Sequence, residues 1–324
     1  MHERSHAGAA GGIALIVLAM FFISVNDMLV KLLSSAYPLH QIVLVRSAIG
    51  IGFSLTILQF EGGFASLRTQ RLGLHAIRAM CLVVANMAFF AGLAVIPLAD
   101  ATALFFVAPL FITVLSIAIL GEKVGPRRLA AVVIGFIGVL IMLRPGSDSS
   151  GPAASRIVLM LPVIGALAYA LMQILTRQLA TTASASVMAV YVQGTFIAIG
   201  IMFWLVAGDG RFAEGLSNPS LVFLLRAWSW PSADAWMSLT VLGLTSAVIG
   251  YSLAQAYRSA NAATIAPFEY TAMPMSIFWG WLIFGHLPDA WVGTGIALIA
   301  LAGIYVFVRE RQVARRISRP GGQR

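Results

Sequence analysis

The sequence predicts an all-α membrane protein with ten transmembrane helices, arranged as two inverted five-helix repeats around a central cavity. Three observations support this fold class: the composition, a series of long apolar runs, and an internal repeat. Of the 324 residues, 60% are hydrophobic and only 10% are charged, and the mean hydropathy is +0.91. A soluble domain carries about 25% charged residues. The chain is therefore expected to consist mainly of membrane spans.

The apolar runs define these spans. Each run is about 20 residues long, which lets a helix cross a hydrocarbon core of about 30 Å. The runs are continuous and do not alternate over segments of about ten residues, so helices fit better than barrel strands. The ten predicted spans are residues 12–36, 38–60, 74–95, 98–120, 126–144, 156–178, 185–207, 233–256, 261–284 and 289–309.

The positive charges predict the orientation of the chain. With the N-terminus in the cytoplasm, fifteen of the 21 Lys and Arg residues lie in inside regions and four in outside regions, and Arg78 is counted among the inside charges. This distribution satisfies the positive-inside rule and places both termini in the cytoplasm. It also accounts for the net charge of +9, so no nucleic-acid partner is expected.

The chain also repeats itself. Residues 98–122 read LADATALFFVAPLFITVLSIAILGE, and residues 259–286 read SANAATIAPFEYTAMPMSIFWGWLIFGH. Both segments have an Ala-Thr pair near the start, a proline in the middle and a glycine near the end, and Gly121 matches Gly285. These matches indicate that the second half of the chain is a copy of the first.

The repeat predicts the domain organisation. The first five-helix repeat covers residues 12–144, the second covers residues 156–309, and a basic cytoplasmic tail follows at residues 310–324. Because five is an odd number, the second repeat enters the membrane upside down. Inverted repeats are typical of secondary transporters, which bind substrate near the bilayer midplane between the two copies.

Four stretches carry a resemblance to a known family: PLHQIVLVRS (38–47), IPLADATALFFVAPLF (96–111), ILGEKVGPRRLAAVVIGFIGV (119–139) and ALAYALMQILTRQLA (166–180). They resemble the drug/metabolite transporter superfamily in its ten-helix EamA branch. The resemblance covers nearly the whole chain, and within the superfamily it is greatest to bacterial amino-acid exporters, including aromatic ones. It departs at residues 285–289, where GHLPD replaces a glycine-glutamate pair. The family implies a cavity lined by the third, fourth, eighth and ninth helices.

Three charged residues lie within the first two predicted spans. Asp27 and Lys31 are spaced i, i+4 and share a helix face, and Arg46 enters the second span at a similar depth. Each charge inside a bilayer costs about 2.5–3.5 kcal/mol on insertion scales, so it needs a partner or a function. Two interpretations stay open: an ion-pair staple with Lys31 reaching outward, or a direct role in gating or substrate binding.

Glu269 is the other acid well inside a predicted span. It lies between Pro267 and Pro274, and Pro109 occupies a comparable place in the first copy. Prolines leave helix carbonyls without a donor, and paired helix breaks at matching places indicate a binding site. Glu269 is thus a candidate to hold a substrate amino group or to carry a proton. The alternative is a neutral carboxyl, or one bonded to a nearby amide.

Aromatic rings and amides recur on the predicted cavity helices. Rings beside a few polar groups suit a zwitterion with an apolar side chain, although packing and lipid contact are alternatives for any single ring. Together with Glu269, the candidate substrate-binding residues are Asn86, Phe90, Phe105, Tyr169, Gln173, Tyr251, Gln255, Tyr270 and Trp279.

Motifs for other chemistry are weak or missing. Residues 2–6 match the zinc-protease motif H-E-x-x-H, with its histidines at His2 and His6. A zinc site of this kind needs a stable helix and a third ligand, whereas here a run of Ala and Gly follows. The single Cys81 excludes an intrachain disulfide framework. The sequence has no P-loop or dinucleotide fingerprint, so no cofactor, metal or ATP drive is expected.

These observations predict a secondary transporter of the bacterial inner membrane rather than an enzyme. The leading hypothesis is export of amino acids with broad specificity by alternating access. The alternatives are an uptake carrier for another small metabolite, such as S-adenosylmethionine, or an intramembrane enzyme or channel. The expected partners are a small-molecule substrate and the lipid bilayer, with the protein a monomer or weak homodimer.

Overall fold

The computed structural model describes residues 2–68, 71–121, 125–143, 156–180, 182–259 and 265–317. Within these ranges the chain is helical and contains no β-strand. Short 3₁₀ helices cover Phe64–Leu67 and Ala266–Thr271. The α-helices are α1 (His2–Leu33), α2 (Leu39–Glu61), α3 (Leu72–Leu93), α4 (Leu98–Phe105), α5 (Ala108–Leu120), α6 (Pro126–Leu143), α7 (Arg156–Leu179), α8 (Ala185–Ala207), α9 (Pro219–Leu225), α10 (Ala233–Ser259), α11 (Ala272–Phe284) and α12 (Ala290–Ile317).

Among the described residues, seven segments are long and apolar enough to cross a membrane: α2, α3, α7, α8, α10, residues 11–33 of α1, and α4 taken together with α5. Residues 129–143 of α6 and 290–302 of α12 form shorter apolar helices. The chain is therefore a helical, multi-pass membrane protein. The ten crossings and the division into two repeats stay predictions, since part of the ninth predicted span and the tail beyond residue 317 lie outside the described residues.

Two predicted spans are interrupted. The helix of residues 98–120 stops at Phe105 and restarts at Ala108, with Pro109 in the first turn of α5. In residues 261–284, Pro267 lies in the 3₁₀ helix and Pro274 in the first turn of α11. Proline has no N–H and fixes φ, so it fits the first turn of a helix and disrupts a helix interior. The interruptions put Phe105 and Glu269 beside irregular backbone.

Long helices pack side by side with glycines at the closest approaches. A Cβ on Gly165 of α7 would lie 3.0 Å from the Ala85 carbonyl of α3, and one on Gly138 of α6 would lie 2.9 Å from the Gly295 carbonyl of α12. Gly138 and Gly295 therefore allow close helix packing inside the subunit. Small residues are the usual means of close packing between membrane helices.

One end of the bundle, here named the Arg226 end, is covered by the segment between α8 and α10. Phe223 of α9 is buried, and the Arg226 guanidinium donates to the carbonyls of Ser35 (2.6 Å) and Ser34 (2.8 Å) after α1. The Gln41 side chain exchanges two hydrogen bonds with the Ser229 backbone (2.5 and 3.2 Å). These bonds tie the α1–α2 connection to the long loop.

Candidate substrate-binding cavity

A cavity of about 170 Å³ lies in the middle of the bundle. Its wall comes from α1, α2, α3, α4, α7, α8 and α10, together with Glu269 and Ala272. The family resemblance named the third, fourth, eighth and ninth predicted spans, and of these α3, α4, α10 and the segment with Glu269 contribute to the wall. Helices α1, α2, α7 and α8 also line the space. Eight of the predicted site residues meet there: Asp27, Arg46, Asn86, Phe90, Phe105, Tyr169, Gln173 and Glu269.

Arg46 forms the centre of one polar group in the cavity wall. Its Nη1 donates to Asn26 Oδ1 of α1 (3.0 Å), and its Nη2 donates to Asn86 Oδ1 of α3 (2.8 Å). The guanidinium also lies over the rings of Phe90 and Phe196, at 5.7 and 5.5 Å from their centroids. Contacts from three helices therefore fix a buried cation, and each cation–π contact adds about 0.5–2 kcal/mol.

Asp27 lies next to this group on α1 and is 7% exposed. It lines the same cavity as Arg46. A buried carboxyl is costly unless polar groups are near it, so Asp27 adds a third polar side chain to this part of the wall.

Glu269 forms the centre of a second polar group. Its Oε1 accepts hydrogen bonds from the hydroxyls of Tyr169 (2.9 Å) and Tyr257 (2.6 Å). Gln173 Nε2 in turn donates to the Tyr169 hydroxyl (2.6 Å). The carboxyl is 3% exposed, so these donors from α7 and α10 take over the role of water. The group holds one carboxyl in a fixed place at the cavity wall.

An aromatic wall joins the two polar groups. Ring centroids are 5.2 Å apart between Phe90 and Phe89, 5.0 Å between Phe89 and Phe105, and 5.3 Å between Phe105 and Tyr169. The wall thus leads from the ring beside Arg46 to the ring that donates to Glu269. Such a surface favours flat apolar or aromatic groups in a ligand.

Several cavity residues escaped the sequence prediction. Arg78 was counted among the inside charges and not among the charged residues of the spans, but it lies in α3, is 4% exposed and lines the cavity, and its Nε donates to Thr176 Oγ1 of α7 (2.6 Å). Its position six residues after the start of α3 was the available signal. Asn26 and Gln193 also line the space, and Tyr257 supports Glu269. The sequence does not single out Tyr257, because a lone tyrosine near a helix end is usually interpreted as a packing residue.

Four predicted binding residues lie away from the cavity wall. Tyr270 is buried with its ring against Phe106 (5.6 Å), and Trp279 Nε1 donates to Ser24 Oγ of α1 (3.3 Å). The assignment of Tyr270 and Trp279 as lining residues is therefore corrected. They lie on the same chain segment as Glu269, but helical rotation turns them to other faces.

The other two belong to the opposite end of the bundle, here named the Arg258 end. The Tyr251 hydroxyl donates to Glu61 Oε1 of α2 (2.7 Å), and Gln255 Oε1 accepts from Arg258 Nη1 (2.9 Å). Arg177 Nη1 donates to the Arg258 carbonyl (3.2 Å), which links α7 to α10. Tyr251 and Gln255 therefore take part in holding this end together and do not line the cavity.

Lys31 also separates from the predicted charge cluster. Its Nζ donates to the carbonyls of Leu93 and Ile96 at the end of α3, each at 2.7 Å, and Asp100 is the main charge that attracts it. These contacts favour a structural role for Lys31, the outward-reaching part of the staple interpretation, over a direct contact with substrate, but Lys31 bonds to backbone carbonyls and not to Asp27. The i, i+4 spacing placed Lys31 on the face of Asp27, but its long side chain extends one turn further toward the Arg226 end.

The fold and the cavity together define a class: a multi-pass helical membrane protein with an internal, partly polar, aromatic-lined space. The chain matches the model of the EamA-like transporter family over residues 10–144. A riboflavin transporter of Rhizobium johnstonii is 32% identical, covering 82% of this chain and 79% of that protein. The chain therefore belongs to the EamA-like transporters of the drug/metabolite transporter superfamily, and it is a transporter rather than an enzyme.

Other relatives carry different names. An S-adenosylmethionine uptake transporter of Rickettsia prowazekii is 25% identical over 93% of this chain and 94% of its own, and a pseudopaline exporter of Pseudomonas aeruginosa is 28% identical over 90% and 94%. A solved crystal structure aligns with 95% of this chain and 99% of its own at a TM-score of 0.65 and 15% identity, a likeness of fold alone. None of these three named relatives is an amino-acid exporter.

Proposed function

We propose that this chain is a secondary transporter of the bacterial inner membrane that takes up a neutral, flat heteroaromatic metabolite of the riboflavin class. The observation that carries the proposal is the cavity itself, in which an aromatic wall connects the Arg46 group to the Glu269 group. A flavin has a flat ring system for such a wall and polar groups at both ends. The riboflavin transporter of Rhizobium johnstonii supports the same substrate class.

The charges around the cavity favour a neutral substrate. Within the described part of the chain, the ionisable side chains of the wall are Asp27, Arg46, Arg78 and Glu269, and their formal charges cancel. A ligand with net charge would add an uncompensated charge to a site that excludes water, which is unfavourable. Riboflavin is neutral and fits this charge balance better than S-adenosylmethionine, which carries a sulfonium cation, or a ligand with several carboxylates.

Export of amino acids, the leading hypothesis from the sequence, has less support. An amino acid carries its two opposite charges a few ångströms apart, whereas Arg46 and Glu269 are separated by the rings between them. The uptake of another small metabolite, the alternative from the sequence, fits both the relatives and the wall. An S-adenosylmethionine carrier stays the second candidate, because a relative of that name covers nearly the whole chain.

The proposed mechanism is alternating access by two inverted repeats, each of five helices. The pairs of neighbouring helices support it. The contact of α1 with α10 corresponds to the contact of α7 with α3, and each of the contacts α2–α8 and α6–α12 joins two helices in corresponding places of the two repeats. A two-fold axis that exchanges α1 with α7 and α3 with α10 generates this pattern. The Arg226 end and the Arg258 end are then the two gates on either side of the cavity.

The last helix of each interrupted span supports the same symmetry. Residues Ala108–Leu120 and Ala272–Phe284 each form a helix of 13 residues, and each ends at a glycine with φ of 67°. Left-handed backbone at a helix end is readily adopted by glycine. Gly121 and Gly285 thus end helices of the same length, which supports the proposed repeat.

Flux into liposomes tests the substrate. Purified protein in liposomes is expected to move riboflavin with saturable kinetics and above empty liposomes, while S-adenosylmethionine and a mixture of amino acids at the same concentration give flux near background. The measurement is retained fluorescence for riboflavin and retained radioactivity for the other compounds. Flux of amino acids or S-adenosylmethionine without riboflavin flux would contradict the proposal, and current that does not saturate would indicate a channel.

Lys31→Met tests the staple interpretation. Loss of the charged donor leaves the Leu93 and Ile96 carbonyls without it, so the free energy of unfolding is expected to fall by about 1.5–3 kcal/mol while the dissociation constant for riboflavin is unchanged. Thermal melting in detergent and riboflavin titration measure the two quantities. Lys31→Arg, which keeps a charged donor, is the control. A weaker affinity with an unchanged melting temperature would instead place Lys31 in substrate binding.

A further inference from the structure

The orientation of two carboxamides in the cavity wall follows from their contacts with Arg46. A guanidinium only donates hydrogen bonds, so the oxygens of Asn26 and Asn86 must be the atoms that face it. The NH₂ group of each carboxamide is bonded to the same carbon and therefore points away from Arg46. Both side chains line the cavity. This side of the cavity, here named the donor pole, offers N–H groups to a ligand.

The opposite side offers oxygens. Glu269 uses Oε1 for both tyrosine hydroxyls, and Gln173 uses Nε2 for the Tyr169 hydroxyl. The second carboxyl oxygen of Glu269 and the amide oxygen of Gln173 are the acceptors that these side chains have left for a ligand. Both residues line the cavity and are almost fully buried. This side is here named the acceptor pole.

The two poles lie at different depths along the bundle. A Cβ on Gly12 of α1 would lie 3.5 Å from the carbonyl of Ala256, so Gly12 marks the level of Tyr257 on α10. Asn26 lies farther along the same helix by a rise of about 21 Å, at 1.5 Å per residue. The aromatic wall of Phe89, Phe105 and Tyr169 occupies the interval.

We propose that the cavity binds its substrate in one orientation, set by these poles. The carbonyl- and imine-rich edge of a flat heteroaromatic ring lies against Asn26 and Asn86, the ring stacks on the aromatic wall, and a hydroxyl-bearing tail donates to Glu269 and Gln173. This inference rests on the proposed function and adds to it which end of the substrate each residue recognises. Asn86 then determines affinity for the ring, and Glu269 determines affinity for the tail.

Two ligands that differ only at the tail separate the poles. Riboflavin carries the hydroxylated tail, and lumiflavin has the same ring with a methyl group in its place. Affinities are measured by fluorescence titration of the full-length protein in lipid nanodiscs. Glu269→Gln replaces an acceptor with a donor and keeps the shape, so it is expected to weaken riboflavin binding about tenfold and lumiflavin binding less than about twofold. Gln173→Met removes the amide oxygen, together with the donor to the Tyr169 hydroxyl, keeps the Glu269 carboxyl, and is expected to give the same pattern.

The donor pole is tested by Asn86→Asp. The new carboxylate still accepts from Arg46 but has lost the NH₂ group, so both ligands are expected to bind about tenfold more weakly. Gln255→Glu is the matched control. Its side-chain oxygen also accepts from an arginine, Arg258, and it lies outside the cavity, so neither affinity should change.

The outcomes separate this inference from the proposed function. If the unmodified protein binds neither flavin, the proposed function fails and the inference fails with it. If it binds riboflavin but the Glu269 and Gln173 variants weaken both ligands equally, the orientation is overturned while the substrate class stands. A loss confined to riboflavin in the Asn86 variant would indicate the reverse orientation and would also overturn the inference.

Discussion

Replacing Arg46 with methionine is expected to lower the free energy of unfolding by about 3–6 kcal/mol, because two hydrogen bonds from a charged donor are lost, each contributing about 1.5–3 kcal/mol. The buried oxygens of Asn26 and Asn86 then lose their donor. The contacts with Phe90 and Phe196 are lost as well. Riboflavin binding should disappear with the fixed carboxamides.

Thermal melting and chemical unfolding in detergent measure this effect. Arg211→Met is the control, because Arg211 pairs with Asp209 at 3.8 Å on an exposed surface, where such pairs contribute about 0–1 kcal/mol. Equal melting temperatures for the Arg46 and Arg211 variants would contradict the central place given to Arg46.

Gly138→Ala is expected to destabilise the fold by about 1–3 kcal/mol, the usual range for an overpacked core. The added Cβ would lie 2.9 Å from the Gly295 carbonyl oxygen and 3.1 Å from Leu298 Cβ. A backbone carbonyl on a packed helix cannot shift without a cost in free energy. Alanine is intrinsically better than glycine in a helix by about 1 kcal/mol, so the packing term must outweigh that gain.

Gly293→Ala supplies the comparison within α12. No atom lies within 4 Å of a Cβ at this position, so the helix preference acts alone and the melting temperature should stay the same or rise. Melting curves of the two variants measured side by side test the α6–α12 contact. Equal behaviour of the two variants would mean that α6 and α12 are farther apart in the membrane than the structure places them.

Fold class followed from the sequence because a bilayer imposes strict rules. Long apolar runs, few charges and interrupting prolines can be read residue by residue, and they predicted helical spans and the irregular segments at Pro109 and Pro267. The family was recognised from short stretches of sequence. The match to the family model and the similarity to the riboflavin transporter confirm it. The amino-acid substrate rested on overall likeness without a diagnostic motif, and the relatives favour other metabolites.

The candidate site could be predicted from the sequence only in part. Glu269, Arg46 and Asn86 stood out because polar groups in apolar spans need partners, and the structure brings all three to one cavity. Lys31 and Tyr251 stood out equally and lie elsewhere. A sequence shows which groups are costly to bury, but not which helix rotation or side-chain length will satisfy them.

The sequence by itself determined that this chain crosses a membrane and which few polar side chains must find partners inside it, and it predicts an internal copy. Only the tertiary structure decided which partners these are: two asparagines for Arg46, two tyrosines for Glu269, and backbone carbonyls for Lys31. The reason is physical. The need to satisfy a buried polar group is a property of that group, whereas the means depends on distances of about 3 Å between helices far apart in the chain.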